Sequence, residues 1–482
     1  YTPASFDITD SLTAGENVVV VRCEDLPGDE QPCGKQDRGA HQPYCFAATS
    51  GIWQPVWLEP VGEVYLESCR ISADAAGGAF RLTPHVSGNQ QGLRLTVRAI
   101  FAGRPVGELT IPADGRDEPL ALTERHLWSP KRPDLYDIEM NLSRGDDLVD
   151  SVRAYTGLRD LAIDGRRILL NGKPIYQRQV LDQGYWPDGI YTAPTDTAIR
   201  ADVEWTRRLG FNGVRKHQKI EDPRWLYWCD RLGLLVWEEM PAFNEDTPRS
   251  RERLCREWHA VIARDINHPC VVAWVPFNES FGIRDIDTNP SAQDFVVSVV
   301  QDTRALDTTR PVVDNSGWSH VDTDIADTHN YDPAGSVFLE SWRKFHTGED
   351  PGRRTSIRSW NGSYGGREWY GAIYPRQLFV PGRKYSGQPI MVSEWGGFFL
   401  RGLGQVAPIL ERRRGIEPNE EAFLARYGDM ITAFDALPDL MGDCWTQLTD
   451  IEDEPNGLLS EARQPKVNVE RIRRINCRRF EV

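Results

Sequence analysis

The chain has 482 residues, 40% of them hydrophobic and 26% charged, with a formal net charge of −15. Such a length accommodates roughly two to four domains, and no apolar run approaches the ~20 residues that a membrane-spanning helix needs. The acidity argues against nucleic acid or an anionic membrane as partner, because both require a basic face.

Sixteen Trp and fifteen Tyr supply many flat faces, some able to serve sugar rings while most pack the core. The nine cysteines are scattered, without a C-x-x-C pair. They fit reduced thiols and a cytoplasmic setting better than a disulfide frame or a zinc site, although Cys23, Cys33 and Cys45 are close enough to allow one bridge. The opening YTPASFDITDSL reads as strand and turn rather than leader peptide. The chain is therefore expected to begin partway through a domain, which leaves localisation open.

From residue 1 to about 158 the pattern is short β runs and turns. Asn17–Cys23, Val56–Leu58, Leu93–Phe101 and Leu135–Leu142 alternate or cluster apolar residues between Gly, Pro and Asp. This spacing predicts β-sandwiches, with a boundary near residue 62 and a loop at Asp74–Gly78. After residue 159 the rhythm becomes strand, helix, strand, helix. Strands are expected at Ile175–Val180, Gly213–Arg215, Leu234–Trp237, Val271–Phe277, Pro311–Asp314, Ile325–Thr328, Ile390–Ser393 and Gly442–Gln447. That count predicts a (β/α)8 TIM barrel over 159–482. One intervening helix is signed at both ends, with Asp222 as cap, Pro223 in the first turn and Gly233 as terminator. Another carries Phe295, Val296, Val299, Val300, Thr303 and Leu306 at helical spacing. Residues 336–383 form a long insertion between the sixth and seventh strands.

A barrel of this kind carries its chemistry at the carboxyl ends of its strands. Those ends bring Asp182, Arg215 with His217, Glu238 with Glu239, Asn278 with Glu279, His329 with Tyr331, Glu394 and Trp445 to one mouth. Glu279 follows the greasy run VVAWVPF, and Glu394 ends a strand on the opposite side. Two carboxyl groups facing one bond are what glycoside hydrolysis requires, one to protonate the leaving oxygen and one to attack carbon or activate water. A lone strand-end glutamate is more often a solvated loop acid; the second carboxylate changes that balance. His217, His320 and His329 lack metal-ligand spacing such as H-E-x-x-H. No metal and no organic cofactor is expected, although a structural cation near the site is left open.

The motifs GIWQPVWLEP (51–60), NGKPIYQRQVLDQGYWPDG (171–189), FNGVRKHQKIEDPRWLYWCDRLGLLVWEEMP (211–241), NES (278–280), SEWGG (393–397) and CWTQLTDIEDEPNGLL (444–459) follow one another in a fixed order. In this the chain resembles glycoside hydrolase family 2, the group of β-galactosidases, β-glucuronidases and β-mannosidases. The resemblance implies the carboxyl-terminal part of a sugar-binding jelly roll (1–62), an immunoglobulin-like β-sandwich (63–158) and a catalytic barrel (159–482). It also implies Glu279 as general acid/base and Glu394 as nucleophile of a retaining, two-step reaction. Asn278 would bind the sugar 2-hydroxyl, Tyr331 would orient the nucleophile, and Trp445 would form a platform under the sugar. His217, Asp182, His329 and Arg215 are further substrate-binding or supporting candidates.

The function expected is an exo-acting retaining β-glycosidase with a carbohydrate substrate, β-galactosidase-like in the first instance. The alternatives are a uronide- or furanoside-active enzyme, with Arg353, Arg354 and Arg367 as carboxylate candidates, transglycosylation, or a binding protein without turnover. Homo-oligomerisation is left open. The Asn171–Lys173 triplet resembles a carboxylate-reading Asn-x-Lys, but its place before the first barrel strand reads as a hairpin turn.

Overall fold

The computed structural model describes residues 1–25, 28–36, 45–347, 377–404 and 414–478, with residues 363–364, 367–368, 406 and 411 as isolated pieces. Arg353 and Arg354, and the side chain of Arg367, lie outside what is described, as does most of the 336–383 insertion.

Seven strands form a sandwich, β1 (Tyr65–Asp74), β2 (Ala79–Ser87), β3 (Leu93–Phe101), β4 (Arg104–Pro112), β5 (Glu118–Ala121), β6 (Tyr136–Arg144) and β7 (Asp147–Thr156). One sheet has the order β1-β2-β5 and the other β4-β3-β6-β7. Alternation places Leu93, Leu95, Val97 and Ala99 of β3 inside, against Phe80 and Leu82 of β2 in one shared core. The loop expected at 74–78 is the turn between β1 and β2.

Seven parallel strands then follow, β8 (Gln177–Asp182), β9 (Gly213–Lys216), β10 (Leu235–Glu239), β11 (Val271–Val275), β12 (Ala326–Asn330), β13 (Ile390–Trp395) and β14 (Leu440–Trp445). Their order is β11-β10-β9-β8-β14-β13-β12. Residues 311–317 connect the two edges. Trp274 N donates to Pro311 O (3.1 Å), Val313 N to Trp274 O (2.9 Å), and His329 N to Gly317 O (3.3 Å). The arrangement is a parallel α/β barrel consistent with a TIM barrel, with the expected strand at 311–314 reduced to isolated bridges. Pro311 has no N–H to give a ladder, and the Asp314 carboxylate instead accepts from Val321 N (2.6 Å) and Asp322 N (2.9 Å).

The one helix with predicted ends begins and stops at them, and the apolar spacing at 295–306 falls on a helix. In the helix Pro223–Leu232, Asp222 accepts from Arg224 N and Gly233 sits left-handed at φ +74°. In Pro290–Leu306, Phe295, Val296, Val299, Val300 and Thr303 are buried. The sandwich docks at the amino end of the barrel. Asn267 bonds Ile71 N and Cys69 O (both 2.8 Å), and Arg159 donates to Pro269 O and Val271 O (both 2.7 Å). The carboxyl ends of the strands are thereby kept clear of it.

Residues 1–62 do not form a sandwich among the described residues. Asn17–Cys23 and Val56–Leu58 are not strands, and Val18, Val20, Trp57 and Leu58 are exposed. A strand needs a hydrogen-bonded neighbour and a covered face, and these runs find neither. The segment instead lies along the barrel, where Tyr1 N pairs with Glu257 (2.9 Å), Asn244 N and Glu245 N donate to Asp29 O (both 2.9 Å), and Gln54 reaches Ile220 O (3.1 Å). None of the nine cysteines, all of them described, is in a disulfide. No helix among the described residues is long and apolar enough to cross a membrane.

Candidate active site

Glu279 leaves the barrel just after β11 on a strained turn. Its φ is +50° and that of Ser280 is +58°, a region non-glycine residues rarely occupy and which clusters at functional sites. Three bonds hold the turn, Glu279 N to Ser316 O (2.9 Å), Phe281 N to Asn278 O (2.9 Å) and Ser280 N to the Asn315 side chain (2.8 Å).

Glu394, near the end of β13, is 5% exposed. Its Oε1 accepts from Arg215 Nη1 (2.8 Å) and its Oε2 from the Tyr331 hydroxyl. His329 stands between the two glutamates, with Nδ1 2.6 Å from Glu279 Oε1 and 3.5 Å from Glu394 Oε2. One donor atom from each of Glu279, His329 and Glu394 lies within 4.8 Å of the others. Burial pushes the Glu394 carboxyl upward, but the charges of His329 and Arg215 outweigh it and hold the group well below the ordinary carboxylate range. The trio could span a cation, yet Arg215 already supplies positive charge at Glu394, and a metal would engage both carboxylates.

Arg215, on β9, is completely buried and joins the site together. Besides Glu394 it meets Glu239 (2.5 Å), Asn278 Oδ1 (2.7 Å) and the Ser393 carbonyl (3.2 Å). Glu239 also pairs with His217 Nδ1 (2.9 Å), whose burial lowers its pKa. Asn278 has its oxygen engaged by Arg215, while its buried Nδ2 has no acceptor among the described residues. That nitrogen is a donor left for a ligand.

Asp182 and Trp445 are placed differently from the sequence expectation. Both oxygens of Asp182 are used by protein, one by Lys216 Nζ (2.6 Å) and one by Gly184 N (2.8 Å). Lys216 also pairs with Glu221 (3.0 Å) and lies over the Trp225 ring. Trp445 is 0% exposed, with its ring among Trp395, Phe398, Phe423 and Tyr427 at centroid distances of 5.0–5.8 Å. It therefore presents no face to a sugar in this structure. A Cβ on Gly396 would fall 2.0 Å from the same ring, so the backbone after Glu394 lies flat against it.

Sequence reasoning left the adjacent pair Glu238 and Glu239 unsorted. Glu239 faces the site, whereas Glu238 is buried, has its pKa raised by burial first, and hydrogen-bonds Asp265. Strand alternation signals that two neighbours point opposite ways, but not which one points inward. Sequence reasoning also missed Asp327, which accepts from Ser316 and Ser393 beneath the site. Asn171 is held by Trp128 O (3.0 Å) and Asp160 N (3.0 Å) in a hairpin, so it serves structure there.

Two carboxylates converging at the carboxyl end of a parallel α/β barrel, one of them ion-paired and bonded to a tyrosine, are the arrangement that glycoside hydrolysis requires. The family model for the TIM barrel domain of glycosyl hydrolases family 2 matches residues 161–478, and a second family 2 model matches 72–159. The chain belongs to glycosyl hydrolase family 2.

Among curated relatives, a putative β-glucuronidase of Formosa agariphila is 25% identical over 319 residues, 60% of this chain and 35% of that protein. A β-galactosidase of Thermoanaerobacter pseudethanolicus is 24% identical over 300 residues, 59% of this chain and 39% of that one. The chain thus spans well under half the length of these two relatives. Among solved structures, the β-glucuronidase of Ruminococcus gnavus in complex with D-glucuronic acid aligns with a TM-score of 0.66 at 18% identity, covering 85% of this chain and 67% of that one. The GH2 β-galacturonidase of Eisenbergiella tayi bound to galacturonate aligns at 0.63 and 17%, covering 86% and 72%. At such identities the structural likeness shows the fold.

Proposed function

We propose that the chain is a retaining exo-β-glycosidase whose terminal sugar is a uronic acid. The observation that carries the retaining reading is the convergence of Glu279 and Glu394 to within 4.8 Å. It supports direct attack, with carboxyl groups about 5–5.5 Å apart, over an inverting site that leaves about 6.5–9.5 Å for a water. The ionised Glu394 attacks the anomeric carbon while Glu279 donates its proton to the departing glycosidic oxygen. The resulting ester is then hydrolysed by a water that gives its proton to Glu279. Asn278 Nδ2 is the donor for the sugar 2-hydroxyl, and Tyr331 holds Glu394 in line.

The motifs do not name the sugar, and a β-galactosidase-like enzyme is only the first expectation. The uronide alternative is better supported, because the relatives divide between β-glucuronidase and β-galactosidase while both structural neighbours described above hold uronic acids. Turnover of p-nitrophenyl β-glucuronide, β-galacturonide, β-galactoside, β-mannoside and α-arabinofuranoside by the wild type tests this. A uronide should have the highest kcat/KM; a neutral glycoside leading the panel would sink the uronide reading. Absence of turnover with all five would favour the non-catalytic binding alternative.

Tyr331→Phe removes the hydroxyl bonded to Glu394 Oε2. The expected result is a fall in kcat of roughly 10²-fold, as for loss of one aligned donor in a dry site, with KM changing far less. A KM-only effect would place Tyr331 in binding rather than in orientation of Glu394.

A further inference from the structure

A lysine that the two-glutamate mechanism does not use stands at the barrel mouth. Lys35 belongs to residues 33–36, which lie on the loops following β9 and β10. Cys33 N and Gly34 N both donate to Ala242 O (2.9 and 3.0 Å). Gly34 has φ +60°, and a Cβ there would fall 2.6 Å from the Gln218 carbonyl, so only glycine lets the backbone lie this close. Phe46 N donates to Lys35 O (2.8 Å), and Phe46 is itself fully buried against Tyr185.

The backbone of Lys35 is therefore fixed over Gln218 and Ala242. Those residues adjoin the site directly, because Gln218 N donates to Glu239 Oε1 (3.0 Å) and Ala242 N to Gln218 Oε1 (3.2 Å). The lysine is half-buried, and its charge is felt at both Glu394 and His217. Among the described residues no carboxylate forms an ion pair with it. The site's own carboxylates are engaged elsewhere, Glu394 and Glu239 by Arg215 and Asp182 by Lys216. A cation whose backbone is held beside a sugar site, and whose ammonium has no carboxylate partner among the described residues, suits an anion that arrives with the substrate.

We propose that Lys35 determines specificity by pairing its ammonium with the carboxylate of the terminal uronic acid, a contact that rests on the uronide reading above. The same lysine disfavours neutral hexosides, which bring no anion to compensate its desolvation.

The test compares wild type, Lys35→Met and Lys35→Arg on p-nitrophenyl β-glucuronide and β-galacturonide against the β-glucoside and β-galactoside that differ only at the carboxylate. Lys35→Met should lower kcat/KM for the uronide by about 10²-fold, chiefly through KM, and change the neutral partner by less than about threefold. Lys35→Arg should recover part of the loss, and thermal melting of both variants should match wild type. Uronide and neutral turnover falling together, or an unchanged uronide preference in Lys35→Met, overturns the assignment and leaves the uronide reading standing. A wild type that cleaves no uronide overturns that reading, and this contact with it, before any variant is needed.

Discussion

Glu394→Ala is expected to lower kcat by about 10⁴-fold or more on whichever glycoside the wild type cleaves, because the proposed covalent step loses its nucleophile. The intermediate can be caught in the wild type. A 2-deoxy-2-fluoro glycoside with a good leaving group forms the ester with Glu394, and the fluorine slows its hydrolysis by destabilising the oxocarbenium-like transition state. Peptide mass spectrometry should find one sugar's mass on the peptide containing Glu394. Glu279→Ala behaves differently. With a dinitrophenolate leaving group, which needs no proton, the first step survives, and added azide restores release of the sugar as its azide. With a poor leaving group the rate falls by roughly 10²- to 10⁴-fold, the usual contribution of general acid catalysis. A label on Glu279, or on neither glutamate, would mean the roles are wrongly divided. Folding should not confuse the result, since Arg215 keeps its pairing with Glu239 when Glu394 is truncated.

The division between what the sequence discloses and what it conceals follows from the range of the interactions concerned. The helix Pro223–Leu232 is legible because its signals are local, a capping Asp222, a proline in the first turn and a glycine at φ +74°. The glutamates are legible because apolar strands followed at once by Asn278–Glu279 or ending in Ser393–Glu394 mark the carboxyl end of a barrel. Side-chain direction is harder to read. The family resemblance implies Trp445 as a sugar platform, but four neighbouring aromatic rings enclose it completely. Asp182 stands at a strand end like the others, yet Lys216 claims it. Pairings of this kind depend on residues on different strands, and no local pattern encodes them. The runs Asn17–Cys23 and Val56–Leu58 mislead in another way. They have β composition, but β structure depends on partners that their composition does not disclose.

Arg215→Met should have the largest effect on stability and should also shift the pH dependence of turnover. The guanidinium is completely buried and meets Glu394, Glu239 and Asn278 at 2.8, 2.5 and 2.7 Å. Removing it leaves two buried carboxylates facing each other with only His329 and Tyr331 beside Glu394 and His217 beside Glu239, and breaking a buried pair from one side costs about 3–5 kcal/mol. Chemical denaturation should report a loss of that size. Arg215→Lys should fall between, because an ammonium keeps the charge but lacks the fork that spans two partners. In the wild type, burial raises the Glu394 carboxyl, and the charges of His329 and Arg215 more than reverse it. Its folded pKa therefore lies below its unfolded value. The resulting stabilisation is present above the ordinary glutamate value of about 4.3 and is lost as the pH falls through the folded pKa. The acid limb of kcat/KM, which reports ionisation of the nucleophile in the free enzyme, should accordingly lie below about pH 4.3. Without Arg215 one lowering charge is gone while the burial remains, so the limb must move upward in whatever activity the variant retains. An acid limb that stays in place in Arg215→Met would show that the arginine holds the fold without tuning Glu394.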